Sequence, residues 1–156
     1  MTLEQLCWLA TLAYGIHIVE EYLLDWRGWV RWVSGVEITS GFFWGMNGLV
    51  LVLGAVCAVA ADRFPMLALA YPALMLINAT LFHVSAVILS GRFSPGLITA
   101  VLIFYPFGLW CFRNAQADGV LTASVFMGAF GLGAIFMAVP ILLIRAREAR
   151  RSHRHF

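Results

Sequence analysis

Apolar residues dominate five stretches of the chain, and each stretch is long enough for a helix that crosses a lipid bilayer. A hydrocarbon core of about 30 Å requires about 20 residues at 1.5 Å per residue. The five predicted spans cover residues 3–24, 38–60, 66–89, 97–112 and 121–144. The pattern therefore predicts an all-α fold, a polytopic transmembrane helix bundle of about five spans. We expect a single transmembrane domain over residues 1–144.

A short segment after the first predicted span interleaves tryptophan with arginine. Its sequence is Trp26-Arg27-Gly28-Trp29-Val30-Arg31-Trp32. Both residue types favour the level of the lipid headgroups, so we expect this segment to lie flat at the membrane interface. Nucleic acid is not an expected partner.

The composition agrees with a protein that is embedded in lipid. Hydrophobic residues make up 62% of the chain and charged residues only 12%, and the mean hydropathy is +0.89. Such values exclude an ordinary water-soluble domain of this size. The three cysteines, Cys7, Cys57 and Cys111, are isolated in different spans and are interpreted as apolar packing residues.

All ten basic residues are arginines, and their positions predict the orientation of the chain. With five spans, the side that carries the C-terminus holds eight of them: Arg27, Arg31, Arg92 and five within residues 145–156. Only Arg63 and Arg113 lie on the other side. Because cytoplasmic loops are enriched in basic residues, we expect insertion in the cytoplasmic (inner) membrane with the N-terminus outside. Residues 145–156 then form a basic cytoplasmic tail that anionic membrane lipids attract.

The first predicted span carries one histidine and two consecutive glutamates. They stand in the segment His17-Ile18-Val19-Glu20-Glu21. At about 100° per residue, Glu20 lies about 60° to one side of His17 and Glu21 about 40° to the other, so all three share one face. One acidic side chain at the centre of a membrane helix costs about 2.5–3.5 kcal/mol on insertion scales. A bound metal, a proton or a partner residue must therefore compensate the two carboxylates.

The third predicted span carries two further polar side chains, Asn78 and His83. Five residues correspond to about 140° on a regular α-helix, so both reach one site only if the site is wide or the helix is locally distorted. In the predicted topology, His83 lies at the depth of His17, and Asn47 and Thr99 enter from the same side. We therefore expect one ion or one hydrogen-bond network to be shared by His17, Glu20 or Glu21, and His83.

The last two predicted spans contain fewer polar side chains. Tyr105, before Pro106 in the fourth span, is either a candidate catalytic hydroxyl or an ordinary packed aromatic residue. The fifth span has no charged residue, and its small residues Gly128, Gly131 and Gly133 permit close helix approach. We interpret the fifth span as structural.

These residues resemble a known family, the HXXEE-domain proteins, which are named for the motif at residues 17–21. The resemblance extends to Asn78 followed by His83 and to the block Phe93-Ser94-Pro95-Gly96-Leu97-Ile98-Thr99. The family pattern has a tyrosine where Phe93 stands and a shorter spacing between the asparagine and the histidine. The family is defined by these motifs and not by a reaction, so the resemblance implies a common site and leaves the activity open.

The leading hypothesis is a metal-dependent enzyme, a hydrolase or an oxidoreductase, that acts on a lipid or isoprenoid substrate within the membrane. Histidine and carboxylate ligands suit a divalent transition metal such as zinc, iron or manganese. The candidate metal ligands are His17, Glu20, Glu21 and His83. The candidate catalytic residues are Glu20, Glu21, Asn78 and Tyr105, with one glutamate as ligand and the other as general base.

Two other functions use the same residues. A metal-free isoprenoid cyclase would protonate an olefin with a buried glutamate and stabilise the cation with aromatic rings. A small proton- or metal-coupled transporter or sensor would use His17, Glu20 and Glu21 as a relay. The expected partners are membrane lipids and a small substrate from the lipid phase, and a homo-oligomer is possible.

Overall fold

The computed structural model describes the backbone of residues 1–152 and the side chains of residues 1–146. It contains the helices α1 (Leu3–Leu23), α2 (Trp26–Ser34), α3 (Ser40–Val59), α4 (Pro65–Ser90), α5 (Leu97–Ala117) and α6 (Ala123–Ser152). No strand is present in the described part of the chain. The predicted all-α class is therefore confirmed. Most side chains of the predicted tail over residues 145–156 lie outside the described residues.

Five helices account for the predicted membrane spans. Four are long and apolar enough to cross a bilayer: α3, α4, α5 and the part Ala123–Ala146 of α6. The 21 residues of α1 include polar side chains, yet its outer face is apolar. That face consists of Leu9, Leu12, Ile16, Val19 and Leu23, which are each at least 39% exposed. Because these residues recur every three or four positions, α1 presents an apolar stripe outward, as a membrane helix does.

The central helix of the bundle is α4, which packs against α1, α3, α5 and α6. Every residue of the segment 68–76 in α4 is buried. A helix that is apolar on all sides is stable only in such a central position. It begins with Pro65 in its first turn, where the missing N–H would have no helical partner in any case.

The sequence predicts close helix approach at Gly128, Gly131 and Gly133, and the structure shows it between α6 and α4 at two of them. A Cβ atom added to Gly133 would lie 2.9 Å from the backbone nitrogen of Leu74, and one added to Gly128 would contact Met66. Nothing lies within 4 Å of the corresponding position at Gly131. Gly128 and Gly133 are therefore small because the two helices are in contact there.

The segment between α1 and α3 forms the short helix α2. Asp25 adopts a left-handed conformation (φ 53°), and its side chain accepts a hydrogen bond from the N–H of Gly28. This cap begins α2 directly after the end of α1. One face of α2 packs on the core through Trp26 and Val30, whereas Trp32 is exposed. The helix is thus amphipathic, as an interfacial helix must be.

Candidate metal centre

Three buried side chains from two helices meet in the bundle. They are His17 and Glu21 on α1 and His83 on α4. Glu21 Oε1 lies 3.6 Å from His17 Nε2 and 3.7 Å from His83 Nε2. One candidate ligand atom from each residue lies within 4.8 Å of the other two. The structure therefore places the two histidines together, as the sequence predicts, with one of the two glutamates.

The Nε2 atoms of His17 and His83 have no hydrogen-bond partner among the described residues. Both rings are fully buried, and an unpaired buried polar atom costs about 1–3 kcal/mol. Two imidazole nitrogens and one carboxylate oxygen are the ligand set of hydrolytic zinc sites and of oxygen-activating iron sites. The donor set and the two unpartnered nitrogens thus fit a divalent transition metal.

Glu20 turns away from this group and binds the N-terminus of α5. Its Oε1 accepts hydrogen bonds from the N–H groups of Gly96 and Ile98, both at 3.1 Å. Its Oε2 accepts from the N–H of Thr99 at 2.7 Å and from the Thr99 hydroxyl at 2.6 Å. The first N–H groups of a helix lack helical partners and carry partial positive charge, so they favour a carboxylate. The two adjacent glutamates therefore have different surroundings.

The Thr99 hydroxyl connects Glu20 to His17. Its single proton is donated to Glu20, so its oxygen accepts a hydrogen bond from Nδ1–H of His17 at 2.7 Å. A neutral imidazole with its proton on Nδ1 carries a lone pair on Nε2. Glu20 thus acts through Thr99 to set the tautomer in which His17 can bind a metal through Nε2.

His83 has a similar support on the loop before α5. Its Nδ1 lies 3.2 Å from the hydroxyl oxygen of Ser94, which is fully buried. The Ser94 hydroxyl also lies 3.5 Å from the carbonyl oxygen of Pro95, to which it can donate. In the tautomer with its proton on Nδ1, His83 donates to Ser94, and its Nε2 carries the lone pair that faces Glu21.

Gly96 lies against both imidazole rings. Its φ of +96° belongs to the left-handed region, which favours glycine. A Cβ added there would overlap His83 Cε1 and would lie 2.8 Å from His17 Cε1. The Pro-Gly step is thus needed for two reasons, since it starts α5 and leaves room for the two histidines.

A wide helical turn in α4 aligns the two polar residues of that helix. The segment Ala79–Val84 is π-helical, and the N–H of Ser85 bonds to the carbonyl of Thr80, five residues earlier. Because a π turn brings positions i and i+5 to one side, Asn78 and His83 both face the site. The local distortion that their spacing requires is therefore present.

A second π-helical segment, Ala100–Phe104, does the same in α5. It aligns Thr99 with Phe104, five residues later, and both contact His17. The Thr99 hydroxyl bonds to the His17 ring, and the Phe104 ring centroid lies 4.5 Å from the His17 centroid. Irregular turns of this kind occur often at functional sites, and here each one delivers two residues to the same group.

The other two predicted catalytic residues have different positions. Asn78 lines a cavity that Glu21 also lines, and among the described residues its Nδ2 makes one long contact, of 3.9 Å, with Met137 Sδ. The Tyr105 hydroxyl bonds to Thr80 at 2.9 Å, outside the group of His17, Glu21 and His83. The structure thus places Asn78 beside Glu21 at a shared cavity, whereas Tyr105 bonds to Thr80 and lies outside the group of candidate ligands.

Sequence reasoning missed the roles of several residues. The sequence places Gly96 only in the block that resembles the family, and it places Thr99 in that block and at the depth of the histidines. The signal was available, because a Pro-Gly-x-x-Thr block at a helix start offers free N–H groups to an acidic partner. The fifth predicted span was interpreted as purely structural, yet Met137, Pro140 and Ile144 of α6 line the cavity at Glu21.

Comparison with known sequences gives one match. The family described as "Protein of unknown function with HXXEE motif" matches residues 8–111. No curated protein and no solved structure matches the chain. The matched segment begins in α1 and ends in α5, so it includes His17, Glu20, Glu21, His83 and the Pro-Gly-x-x-Thr block.

Proposed function

From the premise that this chain belongs to the HXXEE family, whose function is unknown, we propose that it is a membrane enzyme that depends on a divalent transition metal. Its substrate is a lipid or an isoprenoid from the surrounding bilayer. The observation that carries the proposal is the convergence of Glu21 Oε1 and two buried Nε2 atoms without hydrogen-bond partners. Zinc, iron and manganese all accept such a set.

Each residue of the centre has a separate task in this proposal. His17, His83 and Glu21 hold the ion, which supplies a Lewis acid or a redox centre and so corresponds to a hydrolase or an oxidoreductase. Glu20 is a positioning residue, because four hydrogen bonds occupy its oxygens and leave little capacity to accept a proton from a substrate. The general base predicted among the glutamates is then not Glu20.

Asn78 is proposed to contact the substrate. It is buried, and its Oδ1 has no hydrogen-bond partner among the described residues. A catalytic role for Tyr105 stays a prediction, since its hydroxyl bonds to Thr80 and would need a rearrangement to reach the centre.

We also propose an orientation with the N-terminus outside and the C-terminus in the cytoplasm of a cell that inserts the chain in its inner membrane. The arginine distribution supports it, with eight arginines on the side of the C-terminus and two on the other. The metal centre then lies in the cytoplasmic half of the bilayer, near α2.

Metal analysis of the purified protein tests the central proposal. Wild-type protein that is purified without chelators should contain about one transition-metal ion per chain, and His17→Ala should contain none, because one of three protein ligands is lost. His155→Ala, in the basic tail, is the matched control and should retain the wild-type content. A wild type without stoichiometric metal, together with a His17→Ala variant of unchanged stability, would refute the metal centre.

One observation favours a second function, a proton relay. Glu20, the Thr99 hydroxyl and His17 form a continuous hydrogen-bonded row that leads toward Glu21. Such rows of titratable residues within a membrane are typical of proton pathways. If metal-free protein in liposomes dissipates a pH gradient, and Thr99→Val stops this, the relay replaces the enzyme.

A further inference from the structure

A large cavity opens beside the candidate metal centre. It has a volume of about 510 Å³ and lies between α2, α4 and α6. Glu21 and Asn78 form its buried inner end, whereas the exposed residues Ser34 and Arg145 stand at its outer end. Most of the remaining wall is apolar, with Trp26 and Phe82 among its residues. This size and lining are typical of a site for a small amphipathic ligand.

Two smaller spaces lie next to the large cavity and share lining residues in turn. A small cavity of about 80 Å³ shares Glu21, Asn78 and Pro140 with it. A lateral groove of about 240 Å³ between α3 and α6 shares Met46, Val50 and Pro140 with the small cavity. Because residues of one space also line the next, the three spaces follow one another from Arg145, past Glu21, to the groove between α3 and α6, and we call this series the path.

The chemistry of this path changes along its length. All seven residues that line the lateral groove are apolar, so it suits hydrocarbon. The small cavity, of about 80 Å³, is the smallest of the three spaces, so a single hydrocarbon chain fits it better than a two-chain lipid does. Among the described residues that line the three spaces, Arg145 and Glu21 are the only charged side chains.

Two observations indicate that a ligand, and not only packing, explains the path. Asn78 is 5% exposed, and its Oδ1 has no hydrogen-bond partner among the described residues although it lines both cavities. Arg145 is the first charged residue after the apolar stretch of α6, and arginine at such a position favours the level of the headgroups. A carboxylate or a phosphate beside Arg145 would keep its charge at the interface while its chain enters the bundle.

We propose that this path binds a single-chain amphiphile with an anionic headgroup. The headgroup lies at Arg145, the chain passes Glu21 and Asn78, and its end lies in the lateral groove between α3 and α6. The proposal rests on the proposed function in one respect, which is that the same molecule is the substrate of the metal centre. The reaction would then occur part-way along the chain, where the chain passes Glu21.

Photolabelling of the protein in phosphatidylcholine nanodiscs tests this binding mode. The probe is a long-chain fatty acid with a diazirine near the end of the chain, and its methyl ester is the neutral comparison. The acid should label peptides that contain Met46, Val50 and Phe136, and it should label them more strongly than the ester does. An alkyl phosphate with the same chain distinguishes a phosphate headgroup from a carboxylate headgroup.

Two pairs of variants locate the headgroup and the chain. Arg145→Gln should lower the preference for acid over ester by about fivefold, whereas Arg92→Gln should not, because Arg92 stacks on Trp32 and does not line the path. Val50→Trp should abolish the labelling within the groove by filling the point where the small cavity meets it. Val52→Trp, on the exposed face of α3, should leave the labelling unchanged.

The outcome is independent of whether the metal centre exists. If labelling follows the expected pattern while the protein contains no metal, the binding site stands and the metal-dependent reaction fails. Equal labelling by acid and ester, or labelling confined to lipid-facing residues such as Val52 and Ile88, would overturn the binding site and leave the metal proposal untouched. Labelling should also persist in His17→Ala, because the ring of His17 does not line the path.

Discussion

The substitution Thr99→Val tests whether the hydrogen bonds between Glu20, Thr99 and His17 prepare His17 to bind a metal. Valine has nearly the shape of threonine and keeps the backbone N–H that bonds to Glu20 at 2.7 Å. It removes only the hydroxyl, which donates to Glu20 at 2.6 Å and accepts from His17 at 2.7 Å. The variant thus interrupts the connection between Glu20 and His17 and leaves the start of α5 in place.

The expected cost in stability is moderate. A hydrogen bond to a charged group contributes about 1.5–3 kcal/mol in water-soluble proteins, but measured values between membrane helices average about 0.6 kcal/mol and reach about 1.7 kcal/mol. Because the change also leaves Nδ1–H of His17 without a partner, we expect a loss of about 2 kcal/mol. The metal affinity should fall by about 10- to 100-fold, as for other residues that orient a ligating histidine.

Competition with a chromophoric chelator measures the affinity, and unfolding in detergent mixtures measures the stability. Thr99→Ser is the control, because it retains the hydroxyl and should bind metal as the wild type does. A Thr99→Val variant whose metal affinity stays within twofold of wild type would show that the Glu20 and Thr99 row does not set the tautomer of His17.

Three further predictions follow from the site and the topology. Glu20→Gln should destabilise the fold by about 3 kcal/mol, because the amide NH₂ of glutamine would face N–H groups that need an acceptor. Glu21→Gln should abolish metal binding with little change in stability, since Glu21 makes no hydrogen bond to the described residues. Equal effects of the two variants on stability would contradict these roles. Gly96→Ala should lower the free energy of unfolding by about 3 kcal/mol or more, through backbone strain and overlap with the two rings. Gly91→Ala, at φ +66° with open space around it, should lower it by about 1–2 kcal/mol. Similar unfolding curves of the two variants would refute the contact between Gly96 and the rings. Reporter fusions should place the C-terminus in the cytoplasm and the N-terminus outside, and the reverse result would remove the support for the orientation.

Adjacent glutamates in one membrane helix present a problem that the fold resolves in two ways. The carboxylate of Glu20 is satisfied by backbone and side-chain donors at the start of α5. Among the described residues, the basic nitrogens within 4 Å of the Glu21 carboxylate belong to His17 and His83. One glutamate thus stabilises the site, and the other is available to it. Substitution of Glu20 should therefore lower mainly the stability of the fold, and substitution of Glu21 should lower mainly metal binding, because stability and function often depend on different residues of a site.

The local pattern of the chain was sufficient for the helices and for the candidate ligands. Membrane helices satisfy their own backbone hydrogen bonds, so length and hydropathy predict them without knowledge of their neighbours. The turn at Gly96 and the amphipathic segment of α2 were equally local properties. For the same reason, polar side chains are conspicuous in apolar helices, and the sequence alone marks His17, Glu20, Glu21 and His83 as candidate ligands.

Only the packing of the helices decided which of these residues meet. The sequence could not distinguish Glu20 from Glu21, because both leave α1 on the side of His17 and the difference arises from α5 on one side and α4 on the other. The two π turns are also invisible locally, since a regular turn and a wide turn differ little in propensity and the surrounding contacts choose between them. The residues of α6 that line the lateral groove are apolar, and from the sequence they cannot be told apart from residues that face the lipid. Contacts between distant parts of the chain therefore determine the separate roles of the two glutamates and the shape of the cavity.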